Sequence, residues 1–344
     1  MSDLAALVAK PDVDVAIASL RDEGIHDNDR RLVEHDQETV AIPITEPPTK
    51  TRVRDVIEQV DPEPRVTDLP TLLHERGFSE AEIERAPSSW AVIGDVILAR
   101  FEDCERRADV AAALLELHHG ADTVVDRGGV SGERREPSIE VVAGSGDTET
   151  IHTEHGTQYA MDLSKVMFAP GNKAERAHMG SIVSPEERVL DMFAGIGYFA
   201  LPMARAGAHV TAVEKNPTAF QYLSENAQLN EVADRMELLL GDCREVVPIR
   251  VAAGEQYDRV VMGYYDAHEY LEPALRAVAD GGIVHMHEAT PEALVWERPI
   301  ERLKTAADAV DRQISIVDRR TVKTHSEGVL HVVIDAQIGG TGNK

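Results

Sequence analysis

The chain has 344 residues, with 35 Lys+Arg against 61 Asp+Glu and a formal net charge of −26. That length allows about two or three domains; Cys104 and Cys243 alone cannot build a disulfide framework or a zinc site and suit a reducing compartment, and no apolar run reaches the roughly 18 residues of a membrane span. The acids are spread along the chain, as in proteins adapted to high salt, where a Debye length of about 3 Å at 1 M screens repulsion, so the charge does not exclude an RNA substrate.

The N-terminal residues show no basic segment leading into an apolar core, so a soluble, cytoplasmic protein is expected. Residues 11–45 read as a small unit: a helix through Val15, Ile17, Ala18 and Leu20, a stop at Gly24, and a strand over 40–44. Pro47 and Pro48 mark a break. The expected division is a small domain over 1–50, a linker over 51–65, a middle α+β domain over 66–157, and a Rossmann-like domain over 158–344. The middle domain is read as an amphipathic segment over 69–83, a strand over 90–98, a helix over 111–117, and strands over 123–126 and 138–143 flanking a loop at 127–135. From Gln158 to Ile338 strands and helices alternate, which predicts a mostly parallel sheet covered on both faces, with 331–336 as the final edge strand.

The run from Val189 to Phe199 carries the most chemistry. An apolar strand ends in Asp191, a turn contains Gly195 and Gly197, and Leu201 stands where the third glycine of a dinucleotide fingerprint would be. The next apolar run ends in Glu214, placed for ribose hydroxyls, and a third is closed by Gly241, Asp242 and Cys243. Any one of these acids could be a helix cap. Acids at three successive strand ends suit a ligand with an ammonium, a ribose and an adenine but no phosphate, which is S-adenosyl-L-methionine. A dinucleotide would favour the full glycine pattern and would be repelled by an acid beside its pyrophosphate. The expected fold is α/β: a class I S-adenosylmethionine-dependent methyltransferase (Rossmann-like) domain preceded by small α+β domains.

Two further segments narrow the reading: Asp162 to Arg176, with Met167, Phe168, Pro170, Asn172, Glu175 and Arg176, and Arg259 to Tyr270, with Met262, Gly263 and Tyr264. With the cofactor turn, with Glu214 to Pro217, and with Gly282 to His287, they resemble the archaeal branch of the tRNA wybutosine-synthesising aminocarboxypropyltransferase family. That family is sister to the tRNA guanine-37 N1-methyltransferases. The likeness runs from about Glu140 to Ile338, and the front domains resemble the sister's accessory tRNA-binding domains more loosely. It implies transfer of the 3-amino-3-carboxypropyl group to 4-demethylwyosine at position 37, in the anticodon loop of phenylalanine tRNA. Guanine-37 N1-methylation is the alternative, and a non-catalytic tRNA-binding module is the reading from another class. The sisters typically carry an arginine after the Phe-x-Pro turn and an Asn-Leu-Pro loop at the fourth strand. Here those places read Pro170-Gly171-Asn172 and Met262-Gly263-Tyr264, and Ala169 replaces a serine frequent in the family.

The resemblance implies that Arg176 contacts the amino-acid arm or ribose side of the cofactor, Glu214 the ribose, and Asp242 with the Cys243 backbone the adenine. Asp191 is expected at the ammonium, and Phe193, Gly195 and Gly197 complete the cofactor set. Asn172, Tyr264, Tyr265, Arg134 and Arg135 are expected on the substrate side, because aromatics stack splayed RNA bases and arginines hold phosphates. Arg106, Arg107 and Arg127 extend that basic stretch; Lys304, Arg312, Arg319, Arg320 and Lys323 form a second. His285 and His287 face one side of a strand without a third metal ligand and are read as structural. No catalytic side chain is singled out.

Overall fold

The computed structural model describes residues 3–36, 38–59, 68–132 and 135–341. Residues 1–86 with 116–118 form one compact unit, and 87–115 with 119–344 a second. In the first, β1 (Leu4–Ala9), α1 (Val13–Asp22), β2 (Val33–Glu34), β3 (Thr39–Pro43) and β4 (Asp55–Glu58) make an antiparallel sheet in the order β2-β3-β1-β4. Ala16 and Leu20 of α1 pack on Ala6, Val8, Ile42 and Ile44 of its strands. The expected linker is thus corrected over 51–59, because β4 pairs with β1, while its residues 60–65 lie outside the described residues. Val56 covers one face of β1 and Ile57 the other; two apolar residues after a proline-rich run are too few to read as a strand.

The amphipathic segment over 69–83 is two helices, α2 (Leu69–Glu75) and α3 (Glu80–Glu84). Gly77, at φ +74°, separates them, and a capping box between Ser79 and Glu82 starts the second.

In the second unit, β5 (Trp90–Ile93), β6 (Val96–Ala99), α4 (Arg107–Leu117), β7 (Thr123–Ser131) and β8 (Glu136–Gly144) include a four-stranded sheet, β5-β6-β7-β8. The expected single strand over 90–98 is a hairpin. It turns at Gly94, at φ +57°, where a Cβ would overlap the Thr150 side chain. The loop expected over 127–135 is shorter than that, since β7 runs on to Ser131. Next, β9 (Glu149–Glu154) and β10 (Thr157–Asp162) form a hairpin across the domain boundary expected at 157/158. Ile93, Val96, Leu98 and Val125 share one apolar cluster with Tyr159, Met161 and Val189, so one core crosses that boundary.

The rest is α5 (Lys173–Ile182), β11 (Arg188–Asp191), α6 (Ala200–Arg205), β12 (His209–Glu214), α7 (Pro217–Leu229), β13 (Met236–Leu240), α8 (Cys243–Ala252), β14 (Tyr257–Met262), α9 (Leu271–Ala277), β15 (Val278–Pro291), α10 (Glu297–Ala309), β16 (Arg312–Ser326) and β17 (Val329–Thr341). The sheet order is β13-β12-β11-β14-β15-β17-β16. Strands β11 to β15 run parallel, and β17 is antiparallel to both its neighbours. The strand expected at the edge is therefore interior. Val332, Val333, Ile334 and Ala336 are all buried, a two-sided burial that belongs inside a sheet, while β16 forms the edge. No helix among the described residues is long and apolar enough to cross a membrane.

One buried polar chain ties this half of the sheet together. Arg259 donates to His285 Nε2 at 2.6 Å, so the imidazole proton sits on Nδ1 and is donated to Asp335 at 2.6 Å. Arg320 then joins Asp335, at 2.7 Å, to Glu175 on α5, at 2.5 and 2.9 Å. His285 is the structural residue expected of it.

Candidate functional site

Because β11 to β14 are parallel, their C-terminal ends open on one edge. The strand order reverses between β11 and β14, and there the sheet leaves a crevice. It forms a cavity of about 1180 Å³, open mouth included, lined among others by Phe193, Gly195, Glu214, Asp242 and Cys243. The glycine turn shapes its floor. Gly195 has φ +58° and Gly197 φ +104°, conformations that glycine alone adopts without strain. A Cβ on Gly195 would lie 2.3 Å from the Tyr198 ring, and one on Gly197 would lie 2.6 Å from Leu201. Gly197 therefore shapes the turn from behind and does not line the cavity.

The three strand-end acids have three different fates. Asp191 is fully buried, accepts from the Phe193 N–H at 3.2 Å, and does not line the cavity. Burial pushes its carboxyl up to about 7, against the pull of that hydrogen bond. The carboxylate sits beneath the turn, and its Oδ2 has no hydrogen-bond partner among the described residues. Glu214 does line the cavity, and its carboxylate is oriented by the N–H groups of Gly195, at 2.7 Å, and Asn216, at 2.6 Å. Burial raises its pKa, and those backbone hydrogen bonds oppose the rise.

Asp242 also lines the cavity, but its acceptors are taken. Oδ1 receives the Arg244 N–H and Nε, at 2.9 and 3.0 Å. Oδ2 receives Arg244 Nη2 at 2.6 Å and Lys215 Nζ at 3.0 Å. A carboxylate offers about four acceptor sites, so an adenine amine would have to displace one of these half-exposed side chains. These hydrogen bonds hold the Asp242 carboxyl well below the ordinary range, against its partial burial. The Cys243 N–H remains: it belongs to the first turn of α8, whose N–H groups have no intrahelical acceptor. Burial pushes its thiol up to about 12, so the side chain is no nucleophile at neutral pH.

Arg176 is buried, and its guanidinium grips Glu154 at 2.7 and 2.9 Å and the Ala169 carbonyl at 3.0 Å. It braces the 166–172 segment from beneath and also lines the cavity. Asn172 lines the cavity, and its buried Oδ1 has no hydrogen-bond partner among the described residues. Tyr264 stacks on Phe193, with centroids 5.2 Å apart, and Tyr270 meets both edge-on. Tyr265 turns the other way, to His325 at 4.6 Å and His331 at 4.9 Å, with the Arg135 guanidinium 5.5 Å from its ring centre. Arg134 lies outside the described residues.

Of the other arginines, Arg106 pairs with Asp109, and Arg107 with Asp126 and Glu140. Arg312 caps the end of α9 through the Leu275 and Val278 carbonyls, and Arg320 is spent in the buried chain. These are structural pairs, and the second basic strip is largely dispersed.

Sequence reasoning missed the clamp on β10. Asn226 of α7 bonds the backbone N–H and C=O of Ala160, at 2.7 and 3.1 Å, and the Ile196 carbonyl in the cofactor turn at 3.0 Å. Asn230 does the same for Gln158. The side chains replace a missing strand partner, a role that periodicity does not encode. His331 was also missed as a cavity residue; it pairs with His287 at 3.0 Å.

Residues 150–317 match the TRM5/TYW2 methyltransferase domain family, and 69–148 the TYW2 N-terminal domain. The chain is 38% identical to the tRNA(Phe) (4-demethylwyosine(37)-C(7)) aminocarboxypropyltransferase of Pyrococcus horikoshii, over 75% of this chain and 92% of that protein. It is 32% identical to the tRNA (guanine(37)-N(1))-methyltransferase Trm5b of Pyrococcus abyssi, over 73% and 75%. The structure of P. horikoshii TYW2 in complex with MeSAdo superposes with TM-score 0.67 at 33% identity, covering 79% of this chain and 99% of that one. Wild-type Trm5b from P. abyssi superposes with TM-score 0.71 at 28% identity, covering 99% and 100%.

Proposed function

The chain belongs to the TRM5/TYW2 methyltransferase domain family, and from that premise we propose that it transfers the 3-amino-3-carboxypropyl group of S-adenosylmethionine to 4-demethylwyosine at position 37 of phenylalanine tRNA. The observation that carries the reading is the 38% identity spanning 92% of the archaeal aminocarboxypropyltransferase. The site agrees with it: Gly171 stands where the sister methyltransferases carry arginine, and Phe199 fills the space beside Gly263, where a Cβ would lie 2.7 Å from its ring. An Asn-Leu-Pro loop does not fit this backbone unless Phe199 moves.

The donor set suits the nucleoside part of the cofactor. Glu214, held by two N–H groups, presents its remaining lone pairs to ribose hydroxyls. The Cys243 N–H donates to the adenine edge, and the Phe193–Tyr264 pair supplies an apolar wall. A sulfonium can lose any of its three carbons to a nucleophile, and the pocket's alignment decides which. Asn172, Tyr265 and Arg135 then lie on the side from which the base enters, with Tyr265 and Arg135 offering a ring and a guanidinium for stacking. The front unit and the four-stranded sheet serve tRNA binding in the anticodon-loop region, and the reaction places the protein with its RNA in the cytoplasm.

Guanine-37 methylation stays the second reading because Trm5b matches 99% of this chain while the TYW2 structure matches 79%. Chromatography of the nucleoside by-product, after incubation with tRNA bearing 4-demethylwyosine, separates the two. Methylthioadenosine is expected. Adenosylhomocysteine from unmodified guanine-37 tRNA would favour the second reading.

A further inference from the structure

A cluster of cations with no acidic partners among the described residues stands beside this cavity in a chain that is otherwise strongly acidic. Lys323 on β16 lies opposite His331 of β17, and His331 and Arg135 both line the cavity. Among the described residues Arg135 meets the Met167 sulfur, at 3.5 Å, and the Tyr265 ring. Arg127, exposed on β7, adds its charge to that felt by Lys323. Among the described residues no carboxylate pairs with Lys323, Arg127 or Arg135, whereas Arg106, Arg107, Arg312 and Arg320 all have acidic partners. Lys323 also depends on Gly171. A Cβ at position 171 would lie 3.0 Å from its Cδ and 3.4 Å from its Nζ, so the ammonium occupies the space that a side chain there would need.

Half-buried like charges held close together cost free energy unless an anion completes them. The strain registers at Lys323: burial, with Arg127, Arg176 and Arg135 adding to it, pulls its ammonium down to about 8. Lys323 and Arg135 also depress His325, whose own burial is the larger cause.

We infer that Lys323, Arg135 and Arg127 form an oxyanion subsite at the mouth of the cavity, and that Gly171 is glycine so that Lys323 can reach it. The oxyanion chemistry has two sources in the proposed reaction, on which this subsite rests: the carboxylate of the arm to be transferred, and a backbone phosphate of the RNA presenting its base.

The test uses the full chain with Lys323→Met, Lys323→Arg and Gly171→Ala, and three probes: S-adenosylmethionine, methylthioadenosine, which has the same nucleoside without the carboxylate, and phenylalanine tRNA over a potassium chloride titration. If the carboxylate is the ligand, Lys323→Met weakens S-adenosylmethionine about tenfold, the order of one charge-assisted hydrogen bond, and spares methylthioadenosine. If a phosphate is the ligand, both nucleosides bind unchanged, tRNA affinity falls, and the salt slope drops by about 0.7–0.9. In either case Gly171→Ala reproduces the loss and Lys323→Arg largely restores binding. Retained methylthioadenosine binding shows that the variants fold. Wild-type affinity for all three probes in a folded Lys323→Met protein overturns the subsite and leaves the transferase reading intact. If the unmodified protein binds neither cofactor nor tRNA, that reading falls and the subsite falls with it.

Discussion

Replacing Arg320 by methionine is expected to destabilise the fold by about 3–5 kcal/mol, the usual cost of stranding buried charge. Arg320 is the shared partner of Glu175 and Asp335, whose side chains are only 4% and 7% exposed. Its loss leaves both carboxylates in the interior, with His285 as Asp335's other hydrogen-bond partner. The sign of the pH dependence follows from Asp335. Its own burial would raise its pKa, but hydrogen bonds and charge from His285 and Arg320 hold it down to about 2. A depressed carboxyl contributes stability that is complete above its unfolded pKa of about 4 and is lost as pH falls through the folded value. Without Arg320 the carboxyl rises, so the gap between the two proteins should narrow on acidification. Urea unfolding at fixed high salt across that range checks it; a deficit under about 1 kcal/mol at neutral pH would mean that water, not Arg320, satisfies these acids.

Glu214→Ala is expected to weaken S-adenosylmethionine by about 1–3 kcal/mol, roughly 5- to 150-fold. The substitution removes the ribose acceptor and also frees the Gly195 and Asn216 N–H groups that the carboxylate holds at 2.7 and 2.6 Å. Glu214→Gln keeps one acceptor oxygen and should lose less. Because burial raises the Glu214 pKa, cofactor affinity should start to fall on acidification above the ordinary carboxylate range, and Glu214→Gln should flatten that fall. Titration calorimetry reads both effects. Unchanged affinity in a folded Glu214→Ala protein would remove this residue from the site.

The cofactor corner was legible in sequence because its chemistry is local: a strand, a turn that needs positive φ at Gly195 and Gly197, and an acid ending the next strand. What sequence could not show was competition for acceptors. Asp242 lines the cavity, yet Arg244, two residues on, and Lys215, from another strand end, bond to its oxygens. The Arg176–Glu154 pair was illegible because its partners stand 22 residues apart on different elements. The order of the last three strands was also illegible: β17 is interior only because β16 continues past it, and pairing between strands leaves no periodic signal. The proximity of Lys323 to Gly171 spans about half the chain and emerges only from the folded sheet.

The account rests on which carbon of the cofactor moves. The direct measurement is parallel incubation of the protein, at high potassium, with carboxyl-labelled and methyl-labelled S-adenosylmethionine, each with tRNA carrying 4-demethylwyosine and each with tRNA carrying unmodified guanine-37. The account predicts carboxyl label in the tricyclic RNA, methyl label left on methylthioadenosine, and neither label in guanine-37 RNA. Methyl label entering guanine-37 RNA, with carboxyl label entering neither RNA, would contradict it.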